Sequence, residues 1–423
     1  MKKLLAMISA LIIVLAGCGN ASSSNTDVLT ELTEPVEIEF WHAMTGTSEE
    51  VLNQLVDGYN ESQDLVTVTA VNQGSYGDLD TKIKSAGNAG SLPTLAQGYP
   101  NTIYEYIQSG WVTDLNPYLD VNAFDIDIDN FIPAYVEEVK GADGETWAIP
   151  FNKSTEVLFY NQDMLDEAGV EVPTTIEEVL EASKTIYEKT GKPGIGFDSL
   201  SNLYATLLYN SGVTTWQTDG EFNLNDEAIV STITDLQAAI DAGYIRTAGE
   251  DQYMSGPFAN QDVAMYIGSS AGAQYVESGV NGAFEWSVAS YPAESVIQQG
   301  TSIAVFNTAS AEQQAAAIDF LEYLTSDESM NTWTQATGYL PATTSALESD
   351  DYQAFMAKDA TATAAANQVE NMELLIPVFG GSNEINSVNI TDTMKSILEG
   401  DEDVQTALDD LNQEATDIYA RNN

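Results

Sequence analysis

From Val36 onward the apolar positions change period along the chain. "VEIEFWHAM" alternates apolar and polar residues and predicts a strand; "SEEVLNQLVDGYN" puts Val51, Leu55 and Tyr59 on one helical face, with Ser48 as cap; "LVTVTAV" returns to strand. This is a βαβ unit and implies a parallel sheet. The alternation then continues. "DLDTKIKSAG" predicts a helix, "LPTLAQGY" a short buried strand, "NTIYEYIQSG" a helix closed by Gly110, and "WAIPF" and "VLFYN" two further strands. Farther on, "TIEEVLEASKTIYEKTG", "LYATLLYNSG" and "AIVSTITDLQAAIDAG" read as helices, "DVAMYIGSS" and "TSIAVFN" as strands, and "AEQQAAAIDFLEYLTSDESMNTWTQATG" as one or two helices.

No internal repeat and no linker follow Pro35, so the pattern suggests an α/β protein of two lobes joined by chain crossovers. Polar interruptions at "FNKST" and "QGTS" are two candidate crossings, and "TGYLP" is a third. The expected division is lobe I at 36–152 plus 301–338 and lobe II at 153–300 plus 339–423, with a hinge and a cleft between them.

The first residues carry a different signal. Lys2 and Lys3 precede an apolar run from Leu4 to Ala16, the layout of an export signal over residues 1–17, and the run is too short to span a bilayer comfortably. Its ending, "LAGC", resembles the bacterial lipobox, which implies acylation of Cys18 on its thiol. Cys18 is the only cysteine, so no disulfide framework exists. Two acyl chains suffice for stable attachment to the lipid bilayer, and residues 18–35 would form a polar tether. The expected location is the extracytoplasmic face of the cell membrane.

With 423 residues, 43% hydrophobic and 9% aromatic, the chain can bury a substantial core. The formal net charge is −52, and removal of Lys2 and Lys3 with the signal makes it −54. Such a polyanion repels nucleic acid and anionic headgroups, which excludes both as partners for the folded body. Most of these carboxylates are expected on a solvated surface.

Catalytic patterns are thin. His42 is the single histidine, which excludes a His-rich metal site, and a lone histidine at a strand end is ordinarily structural. "GSSAG", Gly268 to Gly272, fits the G-x-S-x-G nucleophile elbow around Ser270, but that fold needs a histidine after the serine and none follows. "DIDIDN" fails as a calcium loop, because Asn130 stands where glycine is needed and Val136 where a bidentate glutamate belongs. No phosphate-cradling G-x-x-x-x-G-K-[ST] is present. The sequence therefore points to no catalytic residue, metal or cofactor.

What remains is a set of small polar and aromatic residues at strand ends and crossovers: Tyr76, Ser154, Ser269, Ser270, Gly300 and Tyr339. In open α/β sheets ligands bind at the carboxyl ends of strands, so these residues can converge on one cleft. Together with the lipobox and the two-lobed pattern, the segments "FWHAM", "FNKSTEVLFYN", "AMYIGSS" and "TGYLP" resemble the extracellular solute-binding proteins of ABC importers, closest to the glycerol-3-phosphate-binding branch. The resemblance covers essentially the whole mature chain. It implies a hinged two-lobed periplasmic-binding-protein-like fold, a small-molecule solute, permease partners in the membrane, a monomer and no enzymatic activity. It also implies that Tyr76, Ser154, Ser269, Gly300 and Tyr339 hold the ligand.

Two positions depart from the branch. Where an acidic residue is expected after the "Q-x-Y" segment this chain has Pro100, and where a late arginine faces phosphate it has Asn386 or a neighbour. A tryptophan pair is absent from "FDSLSNLYATLLYN" as well. Losing the arginine removes the fork that suits phosphate, which makes Lys153 the candidate replacement charge; the alternative is that no phosphate is bound. The expected ligand is glycerol 3-phosphate or a glycerophosphodiester, the alternative a neutral sugar, for which Trp41, Tyr99, Tyr266 and Tyr339 could act as platforms.

Overall fold

The computed structural model describes residues 28–120, 124–141, 143–212, 221–400 and 402–423. The expected signal, Cys18 and the start of the tether lie outside the described residues. A long path of strands organises the rest, in the order Val66–Asn72, Val36–His42, Leu95–Gly98, Val296–Val305, Ile149–Asn161, Met265–Ser269, Ile195–Phe197 and Ile245–Thr247, with β8 (Trp286–Ser290) paired to Ile149–Asn161 off this path. β1 (Val36–His42) runs parallel to both β2 (Val66–Asn72) and β3 (Leu95–Gly98), with α1 (Gly46–Ser62) and α2 (Tyr76–Ala89) as the connections. At the far end β5 (Ile195–Phe197) runs parallel to β6 (Ile245–Thr247) and β7 (Met265–Ser269).

Two long strands join these parallel groups. β4 (Ile149–Asn161) and β9 (Val296–Val305) are antiparallel to each other, and each serves both ends of the path. β9 pairs with β3 through Val305 to Ser302, whereas β4 pairs with β7 through Glu156 to Tyr160. The segments "WAIPF" and "VLFYN", expected as separate strands, are thus one strand. Their polar interruption survives as a shift of register between Pro150 and Lys153. Pro150 has no amide hydrogen to give the ladder, which suits a position where the pairing breaks. Opposite the shift, Gly300 has φ +97, and a Cβ on it would sit 2.0 Å from the carbonyl oxygen of Asn152. Only glycine lets the two strands come this close.

Helix ends follow local chemistry with two revisions. Ser75 caps α2 in a reciprocal capping box with Asp78. The cap of α1 is Thr45, not Ser48; Ser48 is buried within the helix, where its hydroxyl accepts from Gln274. The long helical stretch after β9 resolves into Ala311–Thr325 and Asp327–Thr337, because Ser326 leaves helical geometry and caps the second through the amide of Ser329. "DIDIDN" is a turn in which Asp127 accepts from the amide of Asp129.

The apolar faces of these elements close into one large core, with Phe40, Phe151, Phe159, Phe320 and Trp333 fully buried, and a smaller core around Ile83, Tyr106 and Phe306. Among the described residues no helix is long and apolar enough to cross a membrane.

Candidate functional site

The place where β4 and β9 cross is polar although it is buried. Asn152 donates from Nδ2 to the Tyr76 hydroxyl at 3.3 Å, and its Oδ1 accepts from Thr301 at 2.5 Å and from Gln97 at 3.1 Å. One side chain therefore ties together α2, β3, β4 and β9. Tyr339, from the other half of the chain, hydrogen-bonds with Asn152 and Tyr76, and its ring stacks on Trp333 at 5.4 Å.

Tyr99, the residue before α3 (Pro100–Gln108), sets its ring 4.7 Å from that of Tyr76. It keeps 40% of its surface exposed, yet burial pushes its phenol upward, as it does those of Tyr76 and Tyr339. Its ring is thus covered by Tyr76 on one side while another part of its surface meets solvent. Pro100 has a local explanation here. It occupies the first turn of α3, where a missing amide hydrogen costs the helix nothing.

Two serines from facing strands meet nearby. Ser269, at the end of β7, donates to the Ser154 hydroxyl at 3.0 Å and accepts from the amide of Ala271. Ser270 turns away; fully buried, it donates to the carbonyl of Gly338 at 3.0 Å, which straps the "TGYLP" segment to the crossing. The amide of Leu340 completes that strap by donating to the carbonyl of Lys153 at 2.6 Å.

Lys153 does not offer its charge to the cleft. Strand alternation sends it to the face of β4 opposite Ser154. There its ammonium, fully buried, contacts Oε1 of Glu138, and Gln298 and Ser302 also donate to that carboxylate, at 2.6 and 3.1 Å. The ring of Tyr135 lies 5.6 Å from the ammonium. Burial pulls the amine well below the ordinary lysine range, and Glu138 is what compensates its charge. The expectation that Lys153 replaces the missing arginine is thus corrected.

The other candidates divide. Asn386 lies in a π-helical turn, Ile385–Ile390, and its side-chain oxygen is buried with no hydrogen-bond partner among the described residues. Trp41 donates to Glu39 at 3.2 Å and packs on the smaller core, which also receives Tyr76. Tyr266 stacks on Phe159 at 4.5 Å and is fully buried, which removes it as a sugar platform. His42 is buried, accepts from the amide of Met44, and is drawn below its usual pKa by burial; it is structural.

Sequence reasoning passed over two carboxyls and two tyrosines. Glu156, two residues along β4 from Ser154, is buried, accepts from Asn202 at 3.1 Å with one oxygen, and leaves the other without a partner. Burial raises its pKa to about 8, against the Asn202 hydrogen bond and with help from Asp198. Asp198, just past β5, accepts from the amide of Met254 at 2.5 Å and is raised by burial to about 7. The signal was available in "GFDS", a polar residue at the carboxyl end of a parallel strand. Tyr253 and Tyr275 are exposed; the Tyr339 phenol, raised first by burial, is raised further when either of them ionises.

The halves also touch at the rim. Thr45 and Tyr275 bring their hydroxyls to 3.2 Å, Gln274 donates to Ser48, and Asn101 donates to Asn383 at 2.7 Å.

Comparison with known proteins agrees with this architecture. A family model described as bacterial extracellular solute-binding protein matches residues 54–364. The sn-glycerol-3-phosphate-binding periplasmic protein UgpB of Rhizobium meliloti is 24% identical over 404 residues, spanning 88% of this chain and 91% of that protein. The protein of the same name from Pectobacterium atrosepticum is 26% identical over 401 residues, with 88% and 89% covered. Among solved structures, UgpB from Mycobacterium tuberculosis in complex with glycerophosphocholine superposes with a TM-score of 0.82 at 19% identity, over 92% of this chain and 99% of that one. The GacH receptor of Streptomyces glaucescens, solved unliganded and with acarbose, gives 0.80 at 21% identity, over 92% and 99%. Both structures carry the two-lobed binding-protein fold. With the family model matched across most of the chain, this protein belongs to the bacterial extracellular solute-binding proteins, near their glycerol-3-phosphate branch, and is the solute-binding protein of an ABC importer.

Proposed function

We propose that the protein captures a glycerophosphoryl solute between two lobes, 36–152 plus 301–338 and 153–300 plus 339–423, and delivers it to the permease. The observation that carries this reading is the convergence of the hydrogen-bonded Ser154 and Ser269, the close strand approach at Gly300, and Tyr76 and Tyr339 at one crossing of strands. Relatives named for sn-glycerol 3-phosphate share that chain over most of its length. A solute that touches both walls stabilises only the closed form, and this difference in affinity is what shifts the population.

With Lys153 engaged by Glu138, the donors described at the crossing are neutral ones, the hydroxyls of Tyr76, Ser154 and Ser269 and the side-chain amide of Asn152. Neutral donors suit a singly charged diester better than a dianion, because less charge must be compensated where water is excluded. A glycerophosphodiester is therefore preferred over glycerol 3-phosphate. Outside the described residues, Cys18 would carry the acyl chains that hold the protein, as a monomer, at the membrane.

The second reading, a neutral oligosaccharide, draws support from the exposed rings of Tyr99 and Tyr253. Thermal shift with a panel of glycerophosphodiesters, glycerol 3-phosphate and oligosaccharides separates the two, since a ligand bound only by the native state raises the melting temperature. A shift with oligosaccharides alone overturns the glycerophosphoryl reading.

A further inference from the structure

Tyr253 is, at 66%, the most exposed of the large apolar side chains among the described residues, and the turn that carries it is held in place from several directions. Gln252, immediately before it, has φ 64 and ψ −43, a backbone conformation that costs any residue with a Cβ. On one side Arg246 pairs with Asp251 at 2.5 Å, and the amide of Tyr253 donates to the carbonyl of Asp251 at 2.8 Å. On the other, Asp198 accepts from the amide of Met254, whose side chain is fully buried over Gly196; a Cβ on that glycine would fall 2.2 Å from the Met254 methyl. A strained backbone persists only where its surroundings over-determine it, and the result here is a tyrosine ring held out into solvent.

The turn stands beside the site. Asp198, which holds it through the Met254 amide, has its carboxylate against Gly268, the residue before Ser269 on β7. Tyr99 stands at the β3–α3 junction, its ring beside that of Tyr76, and is itself exposed. Ser154, Ser269 and Gly300 sit on the strands themselves, whereas Tyr99 and Tyr253 sit in turns between elements, where the mouth of a site at the strand ends would be.

We propose that Tyr253 is a ligand-binding residue that covers the second ester group of a phosphodiester solute, opposite Tyr99, and that Asp198 is the positioning residue that fixes its turn. The phosphodiester part rests on the glycerophosphoryl reading above. With the phosphate at the serines, only a diester has a group left to reach the mouth. Aromatic faces favour a group with a CH-rich or cationic surface.

Calorimetric titration of the full mature chain tests this with two probes: glycerol 3-phosphate, which lacks a second ester group, and glycerophosphocholine, which has one. Tyr253→Ala is expected to weaken glycerophosphocholine about tenfold, a loss of the size of one aromatic contact, and to leave glycerol 3-phosphate within about twofold. Tyr253→Phe should retain diester binding. Asp198→Ala should reproduce the selective loss, which general destabilisation would not, since that would weaken both probes together. Both probes binding, with neither or both weakened by Tyr253→Ala, overturns the proposal and leaves the glycerophosphoryl reading standing. Neither probe binding at all overturns both.

Discussion

Lys153 and Ser154 are adjacent in sequence and separated by the sheet: the serine meets Ser269 across the strands, while the lysine is buried against Glu138 on the other face. The cation at the crossing thus serves the fold. Removing one member of a buried pair leaves an uncompensated charge, so Lys153→Met should destabilise by about 3–5 kcal/mol in urea unfolding. Combining it with Glu138→Leu should recover most of that loss. A single substitution that costs less than about 1 kcal/mol would show that the pair does not hold the crossing together.

Gly300→Ala forces a methyl against the Asn152 carbonyl at a positive φ. The conformational cost alone is about 1–3 kcal/mol, and the contact with backbone cannot be relieved by a side-chain rotation. The expected outcome is a lowered melting temperature together with weakened solute binding. Normal binding in a destabilised variant would separate the two roles and restrict Gly300 to the fold.

Glu156 and Asp198 give the unliganded protein a pH signature. Their folded values, about 8 and about 7, stand above the 4.5 and 3.8 of the free side chains, so across that window the folded state holds protons that the unfolded chain has released. Their contribution to stability is complete below the ordinary carboxylate range and is lost as pH rises toward about 8. Melting temperatures measured from pH 5 to 9 should fall, and Glu156→Gln should flatten part of the decline. An identical slope in the variant would mean that Glu156 is already ionised in the folded protein.

Cys18→Ser should release the protein from membranes into the medium, as judged by fractionation and immunoblotting, because both acyl chains depend on that thiol. Unchanged membrane retention would exclude the lipid anchor.

Much of the fold was legible from periodicity. The opening βαβ unit, the amphipathic helices and the strand preceding Ser269 follow from apolar spacing, since a surface helix or half-buried strand must show its core face in its own sequence. The residues at the crossing were legible from their position at strand ends and from family likeness. Asp198 was legible in the same way, as a polar residue at the end of "GFDS", but was passed over; Tyr253 was not, because an irregular turn has no period of its own.

Element types, the glycine at the crossing and the family were therefore determined by the sequence alone, because each rests on local backbone chemistry or on a contiguous motif. Tertiary structure alone decided which side of β4 faces the cleft. It turned Lys153 inward to a glutamate fifteen residues earlier, joined two expected strands into one, and set Asp198 against Gly268 to hold the turn before Met254. Those outcomes depend on which elements pack together across long stretches of chain, and burial, not spacing, sets the protonation of the carboxyls found there.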